Sequence, residues 1–333
     1  MRVTIDDVAR EAGVSRATVS RFLNGTARVA DATADRVTAA VRRLGYMPNS
    51  MAQQLARGAS DLVGLLIRDP RNRAYGLLHL KVQEACEARG LRLVTVVPGG
   101  ARGSEFEFAG LETLVGLRAG GLLVATGVLP SESLARMAEQ LPIVSVGRPE
   151  SHPRIFGVSY DENRNATILA DQVLTYGHRG VAMVSAAYDV SVPECVRGRG
   201  MAERLRERGA QVYHFEAPTF GVTGERHSEV LELVRARKAT AVMFSTDLRA
   251  VSFLDVAAAN GVKVPEDCSV TGCDGIMTGL GLLGLATLRI PTENVALRSV
   301  EVLASILAGE EVPVRHEKFV GTLVSGRSLA APR

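Results

Sequence analysis

Residues 3–24 read VTIDDVAREAGVSRATVSRFLN, and this stretch decides how the amino terminus folds. Thr4 followed by acidic residues is typical of a helix start, because the hydroxyl caps free amides and the acids suit the positive end of the helix dipole. Gly13 ends that helix, and Ser15 caps a second helix that runs to Leu23. The sequence therefore predicts two short helices that meet across a tight glycine turn.

A third helix is predicted over Asp31–Leu44, which completes a small three-helix bundle with apolar inner faces. In a helix-turn-helix the start of the second helix enters the DNA major groove, and its exposed positions here are Arg16, Ala17, Ser20 and Arg21. Arginine can bind guanine O6 and N7 in a bidentate way, and alanine can contact a thymine methyl group. Helix spacing alone fits a bundle with no nucleic-acid role equally well, so the prediction of DNA binding depends on these side chains.

Charge is distributed unevenly along the chain. Residues 1–60 contain nine arginines and five acidic residues, a balance of +4, whereas the whole chain of 333 residues carries +3. Each phosphate contact made by an arginine releases a condensed counterion, so a basic head on a nearly neutral body suits phosphate binding, although a solvated charged face explains it as well. Short donors and cations around the second helix suit phosphate oxygens. They are Thr4, Ser15, Thr18, Asn24, Arg28 and Asn49.

Residues 3–24 resemble the amino-terminal signature of the lactose repressor family of transcriptional regulators. Residues 46–56, YMPNSMAQQLA, resemble the hinge that follows it in that family. The resemblance implies sequence-specific DNA binding. By this resemblance Arg16, Ala17 and Arg21 fall on base-reading positions, and the hinge adds Ala52 and Leu55, the latter as a wedge in the minor groove.

The hinge segment from Ser50 to Arg57 is short and lies between Pro48 and Gly58, so an isolated helix there is marginal in water. We expect two such helices, one from each subunit of a dimer, to pack on each other over an opened minor groove. Leu55 would then partly unstack the central base step. The alternative is a plain linker in which Leu55 packs on the body of the protein.

From Leu62 onward the pattern changes to short apolar runs that alternate with amphipathic helices. Nine strands are predicted, from Leu62–Ile67 to Ser269–Gly272, together with eight helices, the last over residues 293–308. Continuous apolar strands separated by helices indicate parallel sheets that are covered on both faces. The sequence therefore predicts a doubly wound α/β fold for this part of the chain.

The order of these elements resembles the periplasmic-binding-protein-like core of the family, with two similar subdomains. The implied division of the chain is a helix-turn-helix domain over 1–47, a hinge helix and linker over 48–60, an N-terminal core subdomain over 61–160 and 291–320, and a C-terminal core subdomain over 161–290 and 321–333.

Ligands of such sheets bind beyond the carboxyl ends of the strands. By similarity to the family, Arg197 matches an arginine that grips effector oxygens and Asp274 matches the aspartate that faces it; an interdomain ion pair is the alternative. Asp161, Thr246 and Asp247 lie in other pocket loops of the family, and Tyr75 and Phe220 are candidates for an apolar floor. A further set of arginines near the predicted cleft suggests a phosphorylated or acidic effector, and the alternative is that they are ordinary solvent-exposed arginines. The set comprises Arg71, Arg73, Arg148 and Arg154.

No catalytic residue, cofactor or metal site is predicted. The chain contains no Gly-x-Ser-x-Gly elbow and no phosphate-binding loop, and its six histidines and four cysteines share no ligand spacing. Neither a secretory signal nor a membrane-length apolar run is recognised, so we expect a cytoplasmic protein without a membrane partner.

These observations predict a homodimeric transcriptional regulator that binds double-stranded operator DNA of palindromic sequence. Its most favoured role is repression of an operon for a sugar or related metabolite, with a small-molecule effector in the cleft of the core. The alternative is a cytoplasmic α/β sugar-processing enzyme, or a sugar-binding module, whose helical head does not bind DNA.

Leu55→Ala tests the wedge role of the hinge. We expect this substitution to weaken operator binding strongly, because alanine is too small to unstack a base step, and to leave effector binding intact. Fluorescence anisotropy with operator DNA measures the first effect and calorimetry with an effector measures the second. Unchanged operator affinity would contradict the wedge role and favour the plain linker.

Overall fold

The computed structural model describes residues 3–24, 29–47, 60–69, 72–98, 103–218 and 226–333. The chain divides into two compact units, a head of Met1–Asp61 and a core of Leu62–Arg333. Within the described ranges, none of the helices has both the length and the apolar character that a membrane span requires.

The head contains three helices, α1 (Ile5–Ala12), α2 (Arg16–Asn24) and α3 (Asp31–Leu44). A capping box starts α1: the Asp7 amide donates to the Thr4 hydroxyl at 3.4 Å, and the Thr4 amide donates to the Asp7 carboxylate at 2.9 Å. Gly13 follows α1 with φ of 63°, a left-handed conformation that suits a residue without Cβ. The three predicted helices are confirmed, and α2 is one residue longer than predicted.

One valine from each head helix is fully buried, namely Val8, Val19 and Val37. Ala12 and Ala40 pack in the same cluster, with partly buried apolar side chains around it. Because Val19 lies on the inner face of α2, the opposite face of that helix remains at the surface of the head.

The first sheet of the core is parallel throughout, with strand order β11-β5-β4-β3-β1-β2. Its strands are β1 (Leu62–Ile67), β2 (Arg92–Val96), β3 (Gly121–Ala125), β4 (Ile143–Val146), β5 (Phe156–Tyr160) and β11 (His316–Phe319). The helices that pack with this sheet are α4 (Arg73–Glu87), α5 (Ser104–Gly116), α6 (Ser131–Met137) and α12 (Thr292–Leu307).

The second sheet has the strand order β12-β10-β9-β8-β6-β7, and only β12 is antiparallel to its neighbour. Its strands are β6 (Gly180–Ala186), β7 (Gln211–Ala217), β8 (Ala241–Phe244), β9 (Ser269–Asp274), β10 (Ala286–Arg289) and β12 (Thr322–Val324). The helices of this half are α7 (Glu162–Thr175), α8 (Val192–Glu207), α9 (His227–Arg235), α10 (Asp247–Ala259) and α11 (Leu280–Leu283).

The chain passes between the two sheets three times. It leaves the first sheet after Tyr160, returns to it after Arg289, and leaves it again after Phe319. The two-sheet α/β fold with a helical head that the sequence predicts is therefore confirmed. The residue numbers proposed above as domain boundaries stay a prediction.

All nine predicted strands are present, and three short strands were not predicted. β11 reads HEKF and β12 is a three-residue strand with exposed side chains, so neither shows an apolar run. β10 has only four residues and follows a glycine-rich segment. Helix α8 begins at Val192, four residues earlier than expected, and Pro193 is tolerated there because the first helical turn needs no amide donor.

Two helical glycines lead to opposite expectations for stability. A Cβ on Gly198 of α8 would lie 2.3 Å from the Ser185 Cβ of β6, whereas a Cβ on Gly116 of α5 would meet nothing within 4 Å. We expect Gly198→Ala to lower the free energy of unfolding by about 1–3 kcal/mol through overpacking. The matched control, Gly116→Ala, should raise it by up to about 1 kcal/mol. Urea unfolding of the full chain measures both, and a neutral or stabilising Gly198→Ala would contradict this packing.

Candidate functional site

The amino-terminal turn of α2 forms the candidate DNA-reading face of the head. The Thr18 amide donates to the Ser15 hydroxyl at 3.1 Å, and the two hydroxyls lie 2.8 Å apart, so Ser15 caps the helix as predicted. Arg16, Ala17 and Arg21 are all exposed on this helix. Local capping chemistry therefore fixes the start of α2 and leaves these three side chains at the surface.

The two arginines of this face make only weak contacts within the head. Arg16 lies 3.8 Å from the Asp6 carboxylate, with 70% of its side chain exposed. The Arg21 Nε donates to the Ala17 carbonyl at 3.2 Å. Exposed ion pairs contribute little to stability, so a DNA partner could replace these contacts at small cost.

The other residues predicted to contact DNA differ in their exposure and in their contacts within the head. Thr4 is exposed, but its hydroxyl already donates to Asp7 at 2.7 Å as part of the capping box. Thr18 and Ser20 are half-buried. Arg28, Asn49, Ala52 and Leu55 lie outside the described residues, as does the side chain of Asn24.

A cleft lies in the core between the two sheets. Its walls include residues at or just after the carboxyl ends of parallel strands, as expected for this architecture: Thr126 after β3, Tyr160 in β5, Thr246 after β8 and Asp274 in β9. The cavity volume is about 60 Å³, far below the several hundred Å³ of typical ligand pockets. The cleft is therefore nearly closed. The remaining lining residues are Asn72, Ala74, Tyr75, Leu78, Val146, Gly147, Glu162, Ser191, Pro193, Glu194, Arg197 and Ile290.

Arg197 of α8 is engaged by a carboxylate that the sequence analysis did not single out. Its Nε and Nη2 donate to Glu162 at 2.7 and 2.8 Å, which is a bidentate pair, and its Nη1 donates to the Ser245 carbonyl. Both side chains are almost fully buried. The Asp274 carboxylate faces the same guanidinium, but at 3.7 Å.

A second buried ion pair lies beneath the cleft. Arg249 of α10 donates to Glu194 at 2.9 Å, and the Ser245 hydroxyl donates to the same carboxylate at 2.9 Å. Burial acts to raise the pKa of Glu194, but the charge and hydrogen bond of Arg249 outweigh it, and the pKa lies below its usual range. Glu194 precedes Arg197 by three residues, and this helical spacing is the sequence signal that could have identified it.

Three of the predicted effector residues hold helix starts or loops in this structure. The Arg164 amide donates to Asp161 at 3.1 Å, so Asp161 caps α7. Thr246 caps α10 and also borders the cleft. Asp247 accepts from the Gly275 amide at 2.7 Å and from the Thr287 hydroxyl at 2.6 Å, which ties α10 to the loop after β9 and to β10.

Of the predicted set of arginines, the three that the structure describes, Arg73, Arg148 and Arg154, do not line the cleft. Arg148 is buried against the Leu129 carbonyl, the Ser131 hydroxyl at 2.7 Å and the Glu150 carboxylate at 3.2 Å. Arg154 pairs with Glu132 at 3.3 Å and with Glu139. Arg73 is exposed at the start of α4, and Arg71 and Phe220 lie outside the described residues.

Two tyrosines contribute to the apolar side of the cleft. Tyr75 of α4 borders it as expected, and burial raises the pKa of its phenol. Tyr160 donates to the Thr292 hydroxyl at 3.1 Å, which leaves its ring beside the cavity. A flat apolar wall of this kind suits a ring or a short carbon skeleton.

Contacts between the two halves of the core lie next to residues that line the cleft, namely Thr126 and Ser191. The Val192 amide donates to the Gly127 carbonyl at 2.9 Å. Arg68 donates to the Val190 carbonyl and lies 3.3 Å from the Glu107 carboxylate. These contacts join the segment before α8 to the first sheet, which explains why so little free volume remains.

A helical head with a candidate DNA-reading face and a two-sheet core with a nearly closed cleft are the features of ligand-responsive transcriptional regulators. Comparison with known proteins agrees. Residues 4–49 match the bacterial regulatory proteins of the lacI family, and residues 170–329 match a periplasmic binding protein-like domain.

Relatives of known name extend over nearly the whole chain. The HTH-type transcriptional regulator GalR of Salmonella typhimurium is 31% identical over 337 residues, which cover 99% of this chain and 96% of GalR. The ribose operon repressor of Bacillus subtilis is 30% identical, with 91% of each chain covered. A crystal structure of the lac repressor dimer bound to operator and an anti-inducer has the same fold, with a TM-score of 0.86 over 99% of this chain and 100% of that one at 22% identity.

The chain therefore belongs to the lacI family of bacterial regulatory proteins. This family consists of DNA-binding transcriptional regulators, which act in the cytoplasm, and not of enzymes. The alternative of a sugar-processing enzyme is thereby excluded.

Asp274→Asn tests the electrostatics of the cleft. Burial, together with the nearby Asp247, Glu194 and Glu162, raises the pKa of Asp274 well above 3.8, against the opposing charge of Arg197. A raised native pKa means that wild-type stability falls as pH rises through the interval between the unfolded and native values. Asparagine does not ionise and so avoids the cost of burying a charged carboxylate. The variant should therefore be more stable than wild type at pH 8, by on the order of 1 kcal/mol or more.

The advantage of Asp274→Asn should shrink as the pH falls toward 4, and thermal unfolding across this pH range measures it. Asp171→Asn is the matched control, and we expect it to lower the stability at pH 8 where Asp274→Asn raises it. The reason is that a hydrogen bond from Arg204 lowers the pKa of Asp171 and so stabilises its ionised form. An Asp274→Asn protein that is less stable than wild type at pH 8 would contradict the proposed electrostatics.

Proposed function

We propose that this regulator is a dimeric repressor that binds a palindromic operator through α2 of each subunit and responds to a small molecule bound in the core cleft. The observation that carries the proposal is the exposed face of α2, where Arg16, Ala17 and Arg21 lie together beyond a capped helix start. Two arginines and one small side chain provide hydrogen-bond donors for guanine edges and room for a thymine methyl.

The relatives favour repression over activation. One is named a ribose operon repressor, and a solved structural neighbour is a repressor dimer on its operator. By analogy we assign the controlled genes to the metabolism of a sugar or related small molecule. Exposed apolar side chains of α11 support self-association, since Leu282 is 84% and Leu283 is 44% exposed.

We further propose that residues 48–60 act as the hinge and that effector binding changes the operator affinity through it. A ligand shifts an equilibrium only by the difference between its affinities for the two states. The cleft has a free volume of only about 60 Å³, so we expect the binding of a sugar-sized ligand to change the relation between the halves of the core. We assign induction to this metabolite-responsive repressor, which means that the bound ligand lowers the operator affinity and releases the DNA.

Arg21→Ala tests DNA reading by α2. The full-length protein would first be used to select its operator from a randomised duplex library, and a twofold-symmetric selected site is expected. We expect Arg21→Ala to relax the preference at one base pair of each half-site by about 1–3 kcal/mol, measured by fluorescence anisotropy on single-base variants.

Arg42→Ala is the matched control, because Arg42 is an exposed arginine on α3. Its loss should weaken binding to all sequences about equally, as loss of a general electrostatic contact does. An Arg21→Ala protein that retains every base preference would contradict the assigned reading face. Selection of no preferred sequence by wild type would contradict the proposed function.

A further inference from the structure

The buried charges around the cleft are not balanced. Three arginines are each paired with a glutamate; the pairs are Arg197 with Glu162, Arg249 with Glu194 and Arg68 with Glu107. Two further carboxylates, Asp247 and Asp274, are buried nearby. Asp247 is satisfied by the Gly275 amide and the Thr287 hydroxyl. The buried carboxylates therefore outnumber the arginines by two, and of these two Asp274 is the one without a hydrogen bond to its carboxylate.

Asp274 receives no hydrogen bond to its carboxylate from the described residues. Its nearest cation is Arg197 at 3.7 Å, and that guanidinium already donates to Glu162 and to the Ser245 carbonyl. Asp274 is only 8% exposed and borders the cleft. A buried carboxylate without a donor is costly, so a ligand that supplies the missing positive donor gains that free energy on binding.

The same contacts disfavour an anionic ligand. The three guanidinium nitrogens of Arg197 all have acceptors within the protein. Arg148 and Arg154 are held by glutamates and lie outside the cleft lining. A phosphate in the cleft would thus meet Asp274 and Glu194 without a free arginine fork from the described lining residues.

We propose that the cleft binds a small molecule that carries a protonated amine, with the ammonium group donating to Asp274. The rings of Tyr75 and Tyr160 provide the wall for its carbon skeleton, and aromatic faces also attract cations. The Thr246 hydroxyl borders the same space and suits a polar substituent of the ligand. This inference rests on the proposed function of the cleft as an effector site and specifies the ligand class.

The test uses matched ligands on a common skeleton with the full-length protein. The probes are D-glucosamine, D-glucose and D-glucose 6-phosphate, the corresponding galactose compounds, and 4-amino-1-butanol, 1,4-butanediol and 4-hydroxybutyl phosphate. Thermal shift detects binding, and calorimetry gives the dissociation constants. We expect an amine to bind about tenfold or more tightly than its neutral counterpart, because a buried charge pair contributes at least that factor, and the phosphate to bind most weakly.

Asp274→Asn should remove this preference while the protein stays folded. Asparagine has nearly the same shape and tolerates the positive φ of 124° at this position better than most residues. Asp171→Asn, which changes an aspartate outside the cleft lining, should keep the preference.

Four outcomes would overturn the proposal: no binding of any amine at millimolar concentration, equal or tighter binding of a neutral compound, equal or tighter binding of a phosphate, or a preference that survives Asp274→Asn. Operator release separates this inference from the proposed function. A neutral compound that binds and releases the operator would support the function and overturn the amine assignment.

Discussion

The bidentate pair between Arg197 and Glu162 is the contact on which the cleft depends. It joins α8 to the first turn of α7, and the third nitrogen of the guanidinium holds the Ser245 carbonyl just after β8. Because both side chains are almost fully buried, removing Arg197 would leave the Glu162 carboxylate uncompensated and cost about 3–5 kcal/mol. The strand ends that border the cleft are therefore fixed by an ion pair within the protein before any ligand arrives.

This use of Arg197 changes the electrostatic role of its neighbour. An arginine that is committed to the scaffold cannot fully compensate Asp274, and burial together with the nearby Asp247 raises the pKa of Asp274. Functional sites commonly retain such destabilising groups because binding requires them. The cleft thus combines a rigid, fully paired floor with one carboxylate whose electrostatic cost a ligand can offset.

The sequence was sufficient where local chemistry decides the structure. Caps such as Thr4 and Ser15, the helix stop at Gly13, and the apolar strand runs are all readable from neighbouring residues. It was insufficient where a distant partner decides the role of a side chain. Whether Asp161 caps a helix or meets a ligand depends on geometry, since both roles occur at the junction of a strand and a helix. Glu162 was missed for the same reason, because only the fold brings Arg197 to it.

Among its described residues, a single head has few exposed hydrogen-bond donors on the candidate DNA-reading face. This candidate face has two arginines in the first two turns of α2, and the small core of the head consists mainly of valines and alanines. Affinity that depends on so few contacts becomes useful only when two heads bind together, because the second then binds at a high effective concentration set by the connection between them. Such an arrangement makes operator affinity sensitive to the spacing of the heads without any change in the reading faces themselves. A ligand that alters the core could therefore control DNA binding through geometry alone.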